Sequence, residues 1–233
     1  MILTNIFHRI KRKISKRSSA SYISYLREIG VSIGDDTYIL SPSTFTIDEH
    51  RASLISIGNN VRFNVNNTIL CHDAAAKVFR SVYNDYLPSN GHVLIGNNVW
   101  FGRNCTVLKG VTIGDNCIIG FGSTVMHDIP SNSVAAGTPA KVICTLDDYY
   151  QKRKKIALEE SFEYARSIQI RYNRRPVPED FFESFVYFVN GNQINEYPNL
   201  PIKYQLGDAY DEWKINHKAR FSSFDDFLKA AGL

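Results

Sequence analysis

Along the middle of the chain the apolar positions return at every sixth residue. Ile57, Phe63 and Ile69 form one run, and Ile95, Phe101, Val107, Ile113, Ile119 and Val125 form a second with no break in spacing. A helix at 3.6 residues per turn drifts out of phase with such a repeat, and strand alternation has no reason to prefer it. A period of six is the pattern of a parallel β-helix, in which three short strands make one triangular coil of about 18 residues. Ile95 then stacks under Ile113, Phe101 under Ile119 and Val107 under Val125. The residue four further on is inward too and often small: Val99, Cys105, Val111, Cys117 and Ser123. A glycine follows the apolar position at Gly58, Gly96, Gly102, Gly114 and Gly120, as expected where a corner is crowded or needs a positive φ.

The breaks in the repeat set the organisation. An irregular start at Ile33-Gly34-Asp35-Asp36 puts the first coil near residue 30. The 26 residues from Ile69 to Ile95 are not a multiple of six, so about 74–92 leave the coil as a loop carrying Phe79, Tyr83 and Tyr86. A long aromatic loop on a regular scaffold is a place for function. The repeat stops after SVAAGTPAKVI (133–143), and LDDYYQKRKKIALEESFEYARSIQIRY reads as a long helix ended before Arg175-Pro176. An aromatic segment at 181–189 follows, and SSFDDFLKAAG reads as a capped terminal helix. Three segments result: 1–29, a basic amphipathic helical segment; 30–144, the β-helix; and 145–233, an aromatic-rich helical extension expected to cover an end or flank of the coil.

Charge changes the picture at one end only. Residues 1–30 hold seven Lys and Arg against Glu28, a charge of +6, while the whole chain carries +4. The remainder is therefore near neutral, which argues against a nucleic-acid binder. Ile2, Ile6, Ile10 and Ile14 recur at i, i+4 between the cations, with Leu3 and Phe7 alongside. Such a helix suits an anionic membrane surface, its own protein or a neighbouring subunit. No run of about 18 apolar residues is present, nor the apolar core of a secretion signal. Cys71, Cys105, Cys117 and Cys144 form no CxxC pair, so reduced thiols in a cytoplasm are expected, with Cys105 and Cys117 as packing residues.

The stretch IGNNVWFGRNCTVLKGVTIGDNCIIGFGSTVMHDIPSNSVAAGTPAKVI closely resembles the hexapeptide-repeat acyltransferases, and among them the acetyltransferases of sugars, antibiotics and bacterial surface polysaccharides. The likeness covers about 30–143 and is most specific over 93–143. It implies a left-handed β-helix, a homotrimer, acetyl-CoA in the groove between neighbouring coils, no metal, and a histidine near the long loop that deprotonates the acceptor hydroxyl. A hydroxyl is a poor nucleophile until deprotonated, and imidazole is the usual base.

On that likeness His72, in ILCHDAA, is the expected base. Asp73 follows it on a flat strand and points the other way, which leaves a backbone carbonyl as the expected orienter of the ring. His92, at the end of the loop, is the rival base. His127 stands where the family commonly has a lysine beside the cofactor. His8, His50 and His217 have no motif and are expected on the surface. Trp100 occupies the family's tryptophan position, either lining the channel between the thioester arm and the acceptor or packed at a subunit interface. By position Gly102, Arg103, Gly122 and Lys141 are the cofactor residues. Phe121 departs from the family, which usually has alanine there, and narrows the expected groove.

The expected activity is O-acetylation of a sugar hydroxyl in a cell-surface polysaccharide or its precursor, in the cytoplasm or at the inner membrane face. The alternative is N-acetylation of a nucleotide-linked amino sugar. A zinc hydratase of the same fold needs three converging histidines, and this region has His72 and His92. A scaffold or glycan-binding trimer would have no reason to keep His72, Trp100 and the closing motif together.

Overall fold

The computed structural model describes residues 2–233, with side chains described from residue 9 onward. The chain divides into two compact units, Met1–Tyr149 and Tyr150–Leu233. The first is a left-handed parallel β-helix with three faces. Face A stacks β1 (Ser32–Ile33), β4 (Ile55–Ile57), β7 (Val93–Ile95) and β10 (Val111–Ile113). Face B stacks β2 (Tyr38–Ile39), β5 (Arg62–Phe63), β8 (Trp100–Phe101), β11 (Ile118–Ile119) and the hairpin β13 (Ser133–Gly137)–β14 (Ala140–Thr145). Face C stacks β3 (Thr46–Ile47), β6 (Thr68–Ile69), β9 (Thr106–Val107) and β12 (Thr124–Val125). The registers pair Ile95 with Ile113, Phe101 with Ile119 and Val107 with Val125, as the period requires. All six are buried, as are Val99, Cys105, Val111, Cys117 and Ser123. Inside, the Phe63 and Phe101 rings stack with centroids 4.8 Å apart.

Of the two reasons expected for glycine at the corners, the structure shows crowding. The glycines after the apolar positions are not at positive φ; they are there because the next coil is too close. A Cβ on Gly96 would lie 2.4 Å from Asp115 Oδ1, and one on Gly102 would lie 2.7 Å from the Phe121 amide nitrogen. The left-handed corners belong mainly to asparagines, with Asn60, Asn98, Asn116 and Asn132 at φ between 53° and 58°. Asparagine tolerates that region because its short amide finds local partners. Here the partner is the next coil: Asn60 donates to Asn98 at 2.9 Å, Asn98 to Asn116 at 3.0 Å and Asn116 to Asn132 at 2.9 Å.

The N-terminal segment is two helices, α1 (Ile2–Ser15) and α2 (Ser19–Glu28), because Ser18 caps the second by accepting from the Ser21 amide at 3.2 Å. Tyr22, Tyr25 and Leu26 of α2 are buried in the same core as the coil. α2 also satisfies the open edge of the first coil. Ser19 Oγ accepts from the Ile39 amide at 2.9 Å, and Arg27 donates to the Ile33 and Gly34 carbonyls at 3.0 and 2.7 Å. Tyr22 and Tyr25 both donate to the Glu49 carboxylate at 3.1 Å, and burial with that negative charge lifts both phenols above their ordinary range. On α1, Lys11 pairs with Glu28, Arg12 with Glu49, and Ser15 is buried, while Ile10, Lys13 and Ile14 are exposed on the other side. The side chains of Ile2, Leu3, Ile6, Phe7 and His8 lie outside the described residues. The expected loop is not wholly irregular: it contains α3 (Ala76–Tyr83), closed by Asn84 in the left-handed region.

In the second unit α4 (Leu146–Tyr172) continues from β14, and α5 (Ile202–Leu206), α6 (Tyr210–Asn216) and α7 (Phe224–Ala230) follow short 3-10 turns. Its core gathers Phe162, Phe181, Phe185, Phe188, Phe224 and Phe227. Ser223 caps α7, accepting from the Asp226 amide at 3.1 Å.

The asparagine ladder yields a stability prediction. Asn98→Ala removes two inter-coil hydrogen bonds and leaves an alanine at φ 55°. The expected loss is about 2–3 kcal/mol, from ~1 kcal/mol per net hydrogen bond and about 1 kcal/mol or more for the conformation. Asn98→Gly should lose less, since glycine takes the same φ without strain. Denaturant melts of the two variants test this; equal losses would refute the conformational part.

Candidate active site

The edge where face C turns into face A carries the long excursion, and His72 stands at its start, just after β6. Directly beneath β6 in the stack lies β3, so Asp48, the residue after β3, is set against 70–72. Its amide donates to the Ile69 carbonyl at 3.2 Å, which holds the carboxylate in place. One oxygen, Asp48 Oδ2, then accepts from the Cys71 amide at 2.6 Å and from His72 Nδ1 at 2.6 Å. The expected backbone carbonyl is therefore replaced by a carboxylate. A carboxylate accepts only, so Nδ1 carries a proton, and in the neutral ring Nε2 carries the lone pair. The Asp48 side chain is 14% exposed and that of His72 34%, so the pair is sheltered at the carboxylate and open at the ring.

The same edge fixes the loop. Residues 71–73 run antiparallel to 89–91: His72 bridges Asn90, and the Gly91 amide donates to the Cys71 carbonyl at 2.9 Å. Arg51 donates to Asn90 Oδ1 at 2.5 Å, tying the returning strand to the turn after Asp48. Asp73 points away from His72 and pairs with Lys109, while Ser89 donates to it at 2.8 Å. The Lys109 ammonium holds the Asp73 carboxyl below the ordinary carboxylate range. Cys71, the neighbour of His72, is fully buried, and burial together with the Asp48 charge pushes its thiol up to about 11. It stays a thiol at neutral pH and is no nucleophile.

The rival histidine differs. His92 is exposed, its carbonyl accepts from the Gly110 amide at 2.7 Å, and its ring makes no hydrogen bond among the described residues. His50 and His127 are exposed. His217 is a correction to the surface expectation: its ring stacks on Trp213 at 4.1 Å, and Nε2 donates to the Val186 carbonyl at 2.8 Å. It is a packing residue of the second unit.

The cofactor candidates assemble at another edge, where face B turns into face C. Gly102 is wedged against the Phe121 backbone, and the Gly122 amide donates to the Arg103 carbonyl at 2.9 Å. Gly122, at φ 68°, has nothing within 4 Å of where a Cβ would stand, and its carbonyl accepts from Thr138 Oγ1 at 3.2 Å. Thr138 lies in the closing hairpin, on which Lys141 is exposed opposite Ala136. Phe121 is 70% exposed. Trp100 projects outward from face B between Arg62 and Ile118, 45% exposed.

One chain thus brings Gly102, Arg103 and Gly122 together, with Lys141 on the adjoining hairpin. It does not bring His72 to Trp100. In a triangular prism, face B lies opposite the edge between faces C and A, so the two residues look out on opposite sides. Sequence reasoning missed Asp48, since the spacing from Ile39 to Ile47 is eight and the period does not place it. No group of three or more His, Cys, Asp or Glu side chains among the described residues is placed to hold a metal ion.

The repeat is matched in known proteins. The family model described as bacterial transferase hexapeptide (six repeats) matches residues 92–127. The galactoside O-acetyltransferase of Escherichia coli (strain K12) is 34% identical over 155 residues, 57% of this chain and 74% of that protein. Protein CapG of Staphylococcus aureus is 34% identical over 187 residues, 79% of this chain and 96% of that protein. Among solved structures, a maltose O-acetyltransferase from Clostridium difficile 630 is 25% identical, with a TM-score of 0.43 over 60% of this chain and 84% of that one. With the repeat, the stacked coils and relatives matched over most of their own length, the chain belongs to the hexapeptide-repeat acyltransferases.

Proposed function

We propose that this acyltransferase is an acetyl-CoA-dependent O-acetyltransferase whose acceptor is a hydroxyl of a sugar in a cell-surface polysaccharide or its precursor, with His72 as general base. The observation that carries the reading is the Asp48–His72 pair. The name of the E. coli relative supports a sugar hydroxyl as the acceptor. With Nδ1–H held by Asp48, Nε2 takes the proton of the acceptor hydroxyl, and the oxygen attacks the thioester carbon. The carbon–sulfur bond breaks, and Nε2–H returns the proton to the departing thiolate. Asp48 keeps the ring oriented and stabilises the imidazolium formed between the two transfers. Arg103 and Lys141 supply cations for the phosphates of the donor, and the bare backbone at Gly102 and Gly122 lets its arm approach. Trp100 lines the channel, with its indole N–H as a donor to the reacting groups.

Because His72 and Trp100 face opposite sides of the prism, a complete site takes His72 from one chain and Trp100 from another. A closed homotrimer meets that need at three equivalent interfaces. The four free cysteines support a cytoplasmic setting. The exposed face of α1, with Ile10 and Ile14 flanked by Lys13 and Arg9, supports docking of residues 1–17 on an anionic membrane face.

The first test is thiol release from acetyl-CoA with monosaccharide, polysaccharide and nucleotide-sugar acceptors. His72→Ala should lower kcat about 10²–10⁴-fold. Asp48→Asn should lower kcat about 10–100-fold with little change in KM, as loss of an orienting partner does. Full activity of His72→Ala, or loss on His92→Ala instead, would sink the assignment; activity confined to amino sugars would replace O- by N-acetylation.

The shared site has its own test. Chains carrying His72→Ala and chains carrying Trp100→Ala, each inactive alone, should recover roughly a quarter of wild-type activity when co-expressed in equal amounts, since half the chains offer each intact residue. No recovery would place both residues in one chain's site.

For the membrane contact, the full chain should cosediment with phosphatidylglycerol vesicles at low salt, and Lys13→Glu with Ile14→Ser should abolish this. Equal recovery with phosphatidylcholine vesicles, or none with either, would remove the proposal.

A further inference from the structure

The second unit contains a cavity of about 600 Å³ that the transfer chemistry does not use. It opens between α4 and the segment 180–187, and its size falls in the range of small-molecule sites, roughly 300–1,000 Å³. Its walls are of two kinds. Two aromatic rings are left half open to solvent, Tyr164 at 49% and Phe182 at 54%, and Tyr164 is braced edge-on by Phe181 at 5.4 Å. Opposite chemistry comes from Arg153, which forks onto Glu160 through two bonds of 2.8 and 2.6 Å, and from Glu183 and Tyr187. Burial raises the Tyr187 phenol above its ordinary range, with Arg153, Glu160 and Arg220 as its charged neighbours.

The charges decide the class of ligand. Arg153 is the sole cation of the lining and is matched by Glu160, while Glu183 adds a negative charge and Asp180 is held by Arg174 through bonds of 2.7 and 2.6 Å. A phosphate or other anion would meet carboxylates here with no cation in excess. A wholly apolar ligand would strip water from Arg153, Glu160 and Glu183 with nothing in return. What fits is a flat, neutral molecule with apolar faces and hydroxyls around its rim. The faces lie on Tyr164 and Phe182, and the hydroxyls donate to the Glu160 and Glu183 oxygens, which keep lone pairs beyond those the fork uses.

We propose that this cavity is a saccharide-binding site of the C-terminal unit, separate from the site of transfer and formed by Arg153, Glu160, Tyr164, Phe182, Glu183 and Tyr187. The choice of a saccharide among flat polyols rests on the glycan acceptor proposed above. A second sugar site gives a polymeric acceptor a second hold on the enzyme, which raises its effective concentration at the transfer site.

The test is saturation-transfer difference NMR on the full chain, without acetyl-CoA, using hexasaccharides of glucose, galactose, N-acetylglucosamine and mannose. At least one series should give saturable signals with the wild type and equally with His72→Ala. Affinity should fall tenfold or more in Phe182→Ala and Glu160→Gln, with unchanged thermal midpoints. Tyr187→Phe, which removes a single hydroxyl, keeps the test valid if either of those variants fails to fold; it should weaken binding measurably. Binding that survives all three variants but is lost in Trp100→Ala would put the sugar at the transferase site and overturn the proposal, as would no binding by any series. Saturable binding sensitive to Phe182 and Glu160 in a protein that acetylates none of the acceptors would leave this site standing and remove the transferase reading.

Discussion

A strand of two or three residues cannot satisfy its own backbone, and every strand of the coil is that short except the closing hairpin. Each amide and carbonyl must find its partner one coil above or below, so the coils have to stack in register or not form. From that requirement the rest of the first unit follows. Inward positions must repeat, because a register slip would bring an outward residue inside. Corners must be thin, which explains why Gly96 and Gly102 sit where a Cβ would strike the next coil. The first coil has no neighbour below it, and α2 supplies one by donating and accepting at its open edge while filling the end of the core with Tyr22 and Leu26.

The same stacking builds the Asp48–His72 pair. Asp48 and His72 are 24 positions apart, yet the coil places one above the other because Ile47 pairs with Ile69. Nothing in either loop needs to be rigid on its own account. The carboxylate accepts from the Cys71 amide and the Asp48 backbone amide donates to the Ile69 carbonyl, groups the ladder has already ordered, and the excursion between Asp73 and Ser89 is clamped at its base by Lys109. A side-chain pair on a β-helix edge thus inherits its precision from backbone pairing. Faces and edges of a prism look in different directions, so His72 and Trp100 end up on opposite sides of one chain.

The second unit works on another principle. Its phenylalanines meet edge-on or tilted around Phe181 and Phe227, with centroids 5.4–5.5 Å apart in several pairs. Such a core holds short helices and 3-10 turns that have little propensity of their own. α5, α6 and α7 are seven residues or fewer, below the length at which an isolated helix persists in water. Irregular turns packed on aromatic rings leave gaps at the surface, and the cavity beside α4 is one of them.

Much of the coil could be read before any coordinates, because a period of six has few causes and the inward residue at each turn must be apolar. The position of His72, on the last hexapeptide before the loop, could be read from the spacing as well. The left-handed corners could not, since asparagine is common in turns of every kind and its ladder exists only between coils. Asp48 could not either: its coil is irregular, and a carboxylate one residue past an isoleucine looks like any surface acid until the register brings it to the imidazole. His217 reads as surface because a single histidine in a loop has no periodicity, and only the Trp213 ring and the Val186 carbonyl turn it inward. What the sequence determined by itself was the repeat and therefore the stack, since both depend on spacing along one chain. The tertiary structure alone decided which side chains meet across coils, because those contacts depend on register between segments that the local pattern does not relate.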